Sequence, residues 1–159
     1  MNKDRLENSD REQILSAGAK TFEERVPFNR VIGLDIELSK DGTAKLSFQM
    51  RNELIGNFLR GNLHGGVISS SLDVVGGLVA FVALLDQSPV QPFDEGLEQF
   101  SKLGTVDLRV DFLRPGLGDS FVAAGFKLRA GRRIAVARME LHNDSGSLIA
   151  VGTGTYSIG

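Results

Sequence analysis

Leu63 to Leu85 is the most apolar run in the sequence, and it dictates what the rest of the chain must do. Unbroken hydrophobicity over that length belongs to a helix surrounded on nearly every side. The surroundings are either a bilayer or a protein core. The run carries His64, three serines, four glycines and, near its middle, Asp73. A carboxylate at that depth of a bilayer costs roughly 2.5–3.5 kcal/mol on insertion scales. A central helix inside a globular domain, with no membrane partner, is therefore expected. The chain's 159 residues suffice for one such core. It has no cysteine, which excludes disulfides, thiolate metal sites and a Cys nucleophile. Eighteen Lys and Arg against 20 Asp and Glu leave a net charge of −2 and no global field for nucleic acid. The opening MNKDRLENSDREQ is polar and mixed in charge, unlike a secretory leader, so the expected compartment is cytoplasmic.

The flanking segments supply what the helix must pack against. Ser9 to Glu24 reads as an amphipathic helix, with Ser9 and Glu12 as a capping box and Leu15, Ala19, Phe22 and Val26 as its apolar stripe. Pro27 ends it, and Phe28 to Ile32 allows one further turn. Leu34 to Leu38 and Thr43 to Met50 read as strands joined at Asp41-Gly42. After the long helix, Asp86 to Leu103 reads as a loop, with a short helix between Asp94 and Lys102. Period-two alternation then takes over. Val106, Leu108, Val110 and Phe112 mark one strand, and Val122, Ala124, Phe126 and Leu128 the next. Ile134 to His142 and Leu148 to Tyr156 follow, with turns at Gly131 and at Asn143 to Gly146. Short turns imply antiparallel neighbours. The expected class is α+β, a curved antiparallel sheet wrapped around one long central helix. Residues 1–26 form an added N-terminal helical extension, and residues 27–159 form the main domain.

Two features carry possible chemistry. Asp73 is either a polar-stripe residue paired with an arginine or a carboxylate held for a reaction. His64-Gly65-Gly66 opens the helix, where unpaired N–H groups and the dipole suit a developing oxyanion. The glycines equally permit close packing of a loop on the helix. Asp73 lies nine residues beyond His64, roughly 13 Å along a helix rising ~1.5 Å per residue. One chain cannot easily bring both to one small carbonyl. Two antiparallel copies can, which predicts a homodimer with two shared sites. Zinc and serine-hydrolase motifs are missing: there are two histidines, no H-E-x-x-H and no G-x-S-x-G. No metal is expected.

NFLRGNLHGGVISSSLD at Asn57 to Asp73, TVDLRVDFLRP at Thr105 to Pro115 and the Gly131-Arg132 turn together resemble the hotdog-fold acyl-CoA thioesterases of the phenylacetyl-CoA type. The resemblance spans Pro27 to the C-terminus. It implies hydrolysis of an acyl-CoA to free acid and CoA, with no cofactor beyond the CoA of the substrate. By position, Asp73 matches the family's nucleophile or general base, and Gly65 the backbone N–H donor to the thioester carbonyl. His64 matches the loop histidine and Thr105 a hydroxyl near the attacking water. Asn57 resembles the loop asparagine that touches the thioester, with one residue more before His64 than simpler members have. Gly66, Phe58, Gly131 and Arg132 fall at substrate-binding positions. Self-association as a dimer, and as a dimer of dimers, is likewise implied. The rival functions are a non-catalytic acyl-CoA sensor and a hotdog hydratase or dehydratase.

Overall fold

The computed structural model describes residues 3–87 and 99–159. Helix α1 spans Lys3–Arg25 and α2 spans Pro27–Ile32, with Pro27 at the start of the second, where its missing N–H costs nothing. Gly33 closes α2 in the left-handed conformation, φ 77°. The capping box does not form the start of α1, which begins upstream of Ser9. Lys3, Arg5, Leu6 and Glu7 are good helix formers, Asp4 suits the positive end of the dipole, and no Gly or Pro interrupts them. Leu15, Ala19 and Phe22 are buried, as the stripe requires.

Strands β1 (Asp35–Leu38) and β2 (Ala44–Gln49) form the expected hairpin. The Asp41 carboxylate accepts hydrogen bonds from both the N–H and the hydroxyl of Thr43, which fixes the turn. A small separate hairpin follows, β3 (Ile55–Asn57) with β4 (Asn62–Leu63), where the sequence suggests only a loop. Helix α3 then runs from Gly65 to Gln87. Of the expected Asp94–Lys102 helix, residues 94–98 lie outside the described part, and Gln99–Lys102 forms a 3-10 turn. Four long strands complete the chain: β5 (Gly104–Phe112), β6 (Ser120–Ala130), β7 (Ile134–Asn143) and β8 (Leu148–Ser157). All pairings are antiparallel, in the order β1-β2-β6-β7-β8-β5.

Helix α3 packs against β2, β5, β6, β7 and β8, as a sheet wrapped around a helix requires. Two thirds of its most apolar window is buried inside the protein. The face of β6 that meets it is not the expected one. Val122, Phe126 and Leu128 point outward, and Phe121, Ala123 and Gly125 point in. The register explains this: Phe121 and Ala123 lie opposite Phe48 and Leu46, the buried residues of β2. Small residues are needed beneath the helix. A Cβ on Gly125 would stand 2.8 Å from Val79 Cγ2, so only glycine lets α3 come so close. Ala135, Ala137, Gly152 and Gly154 continue this low floor. Strand β5 pairs only with β8 and forms the sheet's edge, which leaves Val106 and Phe112 more than half exposed.

Candidate active site

Asp73 sits on the third turn of α3, half-buried, facing the start of β5. The Thr105 hydroxyl donates to its Oδ1 at 2.9 Å. Thr105 reaches inward because β5 carries an irregularity between Thr105 and Asp107, which shifts the residues beyond it by one position. The Tyr156 hydroxyl also lies within side-chain hydrogen-bonding reach of this carboxylate. Thr105 thus orients a group that still lines the neighbouring cavity, where it can take a proton or attack a carbon.

Tyr156, which sequence patterning marks only as the end of a strand, is the missing support. Its ring is buried, and its hydroxyl donates to the backbone carbonyl of Asp73 at 3.3 Å. Burial, then the Asp73 charge, push this phenol well above its ordinary range, so it stays a donor. Two glycines make room for it. A Cβ on Gly76 would lie 2.1 Å from the Tyr156 oxygen, and one on Gly154 would lie 2.5 Å from it.

The start of α3 is built by His64. Its carbonyl accepts the N–H of Val67 and of Ile68, which makes it the N-cap. Its Nδ1 accepts the Gly66 N–H at 2.8 Å, leaving Nε2 to carry the proton of the neutral ring. The His64 N–H is anchored to Leu54 O at 2.8 Å. Gly56 is required here as well, because a Cβ on it would lie 2.7 Å from His64 Cα. With Gly66, Val67 and Ile68 satisfied, the Gly65 N–H is the donor left without a partner among the described residues. It points from the positive end of a 23-residue helix, a setting that favours negative charge.

A cavity of about 210 Å³ opens beside Asp73 and Thr105 and runs between α3, α1 and the Gln99–Lys102 turn. Its walls are mostly apolar, with Phe22, Val26, Phe100 and Leu103 facing Val74 and Gly77.

Several residues singled out by resemblance lie elsewhere. Phe58 is at the tip of the β3–β4 hairpin, 87% exposed, and does not line the cavity. It lies in the four-residue turn from Phe58 to Gly61, which Gly61 closes with φ 65°. Asn57 uses its side-chain oxygen on the N–H groups of Leu59 and Arg60, at 3.1 and 3.3 Å. That is a turn-forming role. Gly131 and Arg132 sit by the C-terminal end of α3, where Gln87 Nε2 donates to Gly131 O at 3.0 Å. Asp73 and Thr105 are brought together directly, whereas Gly65 stands eight residues from Asp73, ~12 Å along the helix.

Similarity to known proteins agrees with this geometry. A family model described as thioesterase superfamily matches residues 60–150, which contain the N-terminus of α3, Asp73 and Thr105. The chain is 43% identical to the medium/long-chain acyl-CoA thioesterase YigI of Escherichia coli K12, over 93% of this chain and 96% of that protein. It is 44% identical to the Salmonella typhimurium protein of the same name, with the same coverage. Among solved structures, a Shewanella oneidensis protein related to the thioesterase superfamily superposes with TM-score 0.86 at 44% identity, covering 93% of this chain and 97% of that one.

Proposed function

The chain belongs to the thioesterase superfamily, and from that premise we propose that it hydrolyses medium- to long-chain acyl-CoA thioesters to the free acid and CoA. The observation that carries the proposal is a half-buried carboxylate, held by the Thr105 hydroxyl, that lines a mostly apolar cavity. Asp73 serves either by attacking the thioester carbon itself or by taking a proton from the water that attacks it. The C–S bond then breaks and the CoA thiolate leaves, to be protonated by solvent; where Asp73 itself attacks, water then hydrolyses the resulting Asp73–acyl anhydride, which releases the free acid and restores the carboxylate. Negative charge collects on the carbonyl oxygen, and the unpaired Gly65 N–H is suited to receive it.

Those two groups are too far apart on one helix to serve one carbonyl. A two-fold pair of antiparallel α3 helices brings Gly65 of one protomer to Asp73 of the other. Exposed apolar side chains near the helix start support such pairing: Phe112, whose ring lies 3.6 Å from where a Gly65 Cβ would stand, and Leu113 beside it. The same pairing carries the Gly131-Arg132 turn, at the far end of one α3, toward the start of the other, where a guanidinium fits the CoA phosphates.

Asp73→Asn tests the proposal. CoA release from an acyl-CoA panel, followed by thiol detection, is expected to fall about 10²–10⁴-fold, with the thermal midpoint preserved. Turnover at the wild-type rate would sink it.

A further inference from the structure

Asp73, Gly77 and Phe81 recur every four residues along α3, so they form one stripe on one face of the helix. The cavity beside Asp73 is lined by Asp73 and Gly77 of this stripe, and by Phe22 and Phe100, the rings that pack on Phe81. At Gly77 it is open: the nearest atom to a Cβ built there is Tyr156 Cε1, 4.0 Å away. Gly77 is therefore unlike Gly76 next to it, where Tyr156 leaves no room for any side chain. Glycine costs an interior helical position about 1 kcal/mol relative to alanine, and no close approach at Gly77 requires it. What its missing side chain provides is volume.

The far end of the stripe is shut by three aromatic rings. Phe22 of α1 stands edge-on to Phe100 with centroids 4.3 Å apart, and Phe81 packs 5.5 Å from Phe22 and 6.4 Å from Phe100. From Asp73 to Phe81 is eight residues, ~12 Å along the axis. An extended chain advances ~1.2 Å per bond, as the ~3.3–3.6 Å of a three-bond residue implies. The length of helix from Asp73 to the level of Phe81 therefore corresponds to an apolar chain of about ten carbons. At about 210 Å³ the cavity is smaller than the ~300–1,000 Å³ of pockets that enclose a drug-sized ligand. It suits the acyl chain alone, with the nucleotide part outside.

We propose that Gly77 and the Phe22–Phe81–Phe100 cluster are the acyl-chain ruler of this enzyme: Gly77 admits the chain and the rings stop it. The N-terminal helix thereby becomes part of the substrate site, since it supplies Phe22 to the cavity wall, with Val26 just beyond its end. This inference rests on the reading of Asp73 as the reacting carboxylate.

The test is the ratio of kcat/KM between long- and short-chain saturated acyl-CoA esters. Gly77→Ala and Gly77→Leu fill the opening progressively and are expected to lower that ratio, by about tenfold or more for leucine, since one methylene in an apolar pocket is worth ~10–200-fold. Phe100→Ala, at a partly exposed position, is expected to raise it by about tenfold. Thermal midpoints identify any variant that has lost its fold, and Gly77→Ala should not fall below wild type. An unmoved ratio in folded Gly77→Leu and Phe100→Ala, or an equal loss at every chain length, overturns the ruler while leaving Asp73 in place. A wild type that cleaves no acyl-CoA sinks the reading of Asp73 instead.

Discussion

Tyr156 shows how one side chain couples the sheet to the reacting carboxylate. It lies on β8 among buried residues, yet its hydroxyl ends at the backbone of Asp73, 83 residues earlier in the chain. Its phenol is pushed above the ordinary value of ~10. The unfolded chain releases that proton near pH ~10 while the native chain keeps it, so the unfolded state binds fewer protons above that pH. Stability therefore falls as pH rises past ~10 and is lost progressively toward the higher native value. The chain has a single tyrosine and no tryptophan, so phenolate absorbance reports this residue alone. In an alkaline titration, phenolate is expected to appear only together with loss of helical circular dichroism, and Tyr156→Phe should flatten the alkaline limb of the midpoint–pH curve. Phenolate appearing near pH ~10 in fully folded protein would contradict this. Gly76→Ala drives a methyl into the same hydroxyl and should cost about 1–3 kcal/mol as overpacking, read from denaturant midpoints.

At the scale of elements, the start of α3 depends on an unusual cap. Histidine stands where Ser, Thr, Asp or Asn is the common choice, and Nδ1 does the accepting. His64→Ala should lower stability by about 1 kcal/mol, and His64→Asn should recover most of it, as measured by urea unfolding. The long helix, the position of Asp73 and the His-Gly-Gly start are all legible in the sequence because each is local: an apolar run, a charge within it and a spacing. The sheet's inner face is not. Its floor under α3 is Ala and Gly, while Val122, Phe126 and Leu128 dominate the alternation and point outward. Hydrophobicity marks the wrong face wherever closeness, not bulk, is what the core needs. Gly76, Gly125 and Tyr156 are silent for a related reason. Each matters through a contact with a distant segment, and nothing in its own neighbourhood signals it.

At the scale of the whole molecule, the decisive property is whether a site is owned by one protomer or by two. Gly65 is the first residue of α3, the position where proline is best tolerated, and Gly65→Pro deletes the N–H that has no partner among the described residues. The variant should fold and dimerise, yet lose about 10²–10³-fold in kcat, as removal of an oxyanion donor does. Asp73→Asn is expected to be inactive through the other half of the site. If each site takes Gly65 from one chain and Asp73 from the other, a mixed dimer of the two variants holds one doubly damaged site and one intact site. Denaturing and refolding an equal mixture makes half the dimers mixed, so about a quarter of wild-type activity should return. Sites contained within single protomers predict no recovery at any mixing ratio, because every site then carries one of the two lesions. Size-exclusion mass measurement on the same samples separates that outcome from a simple failure to exchange subunits. The exposed Phe112 and Leu113 of the edge strand and its end make the dimer the expected species.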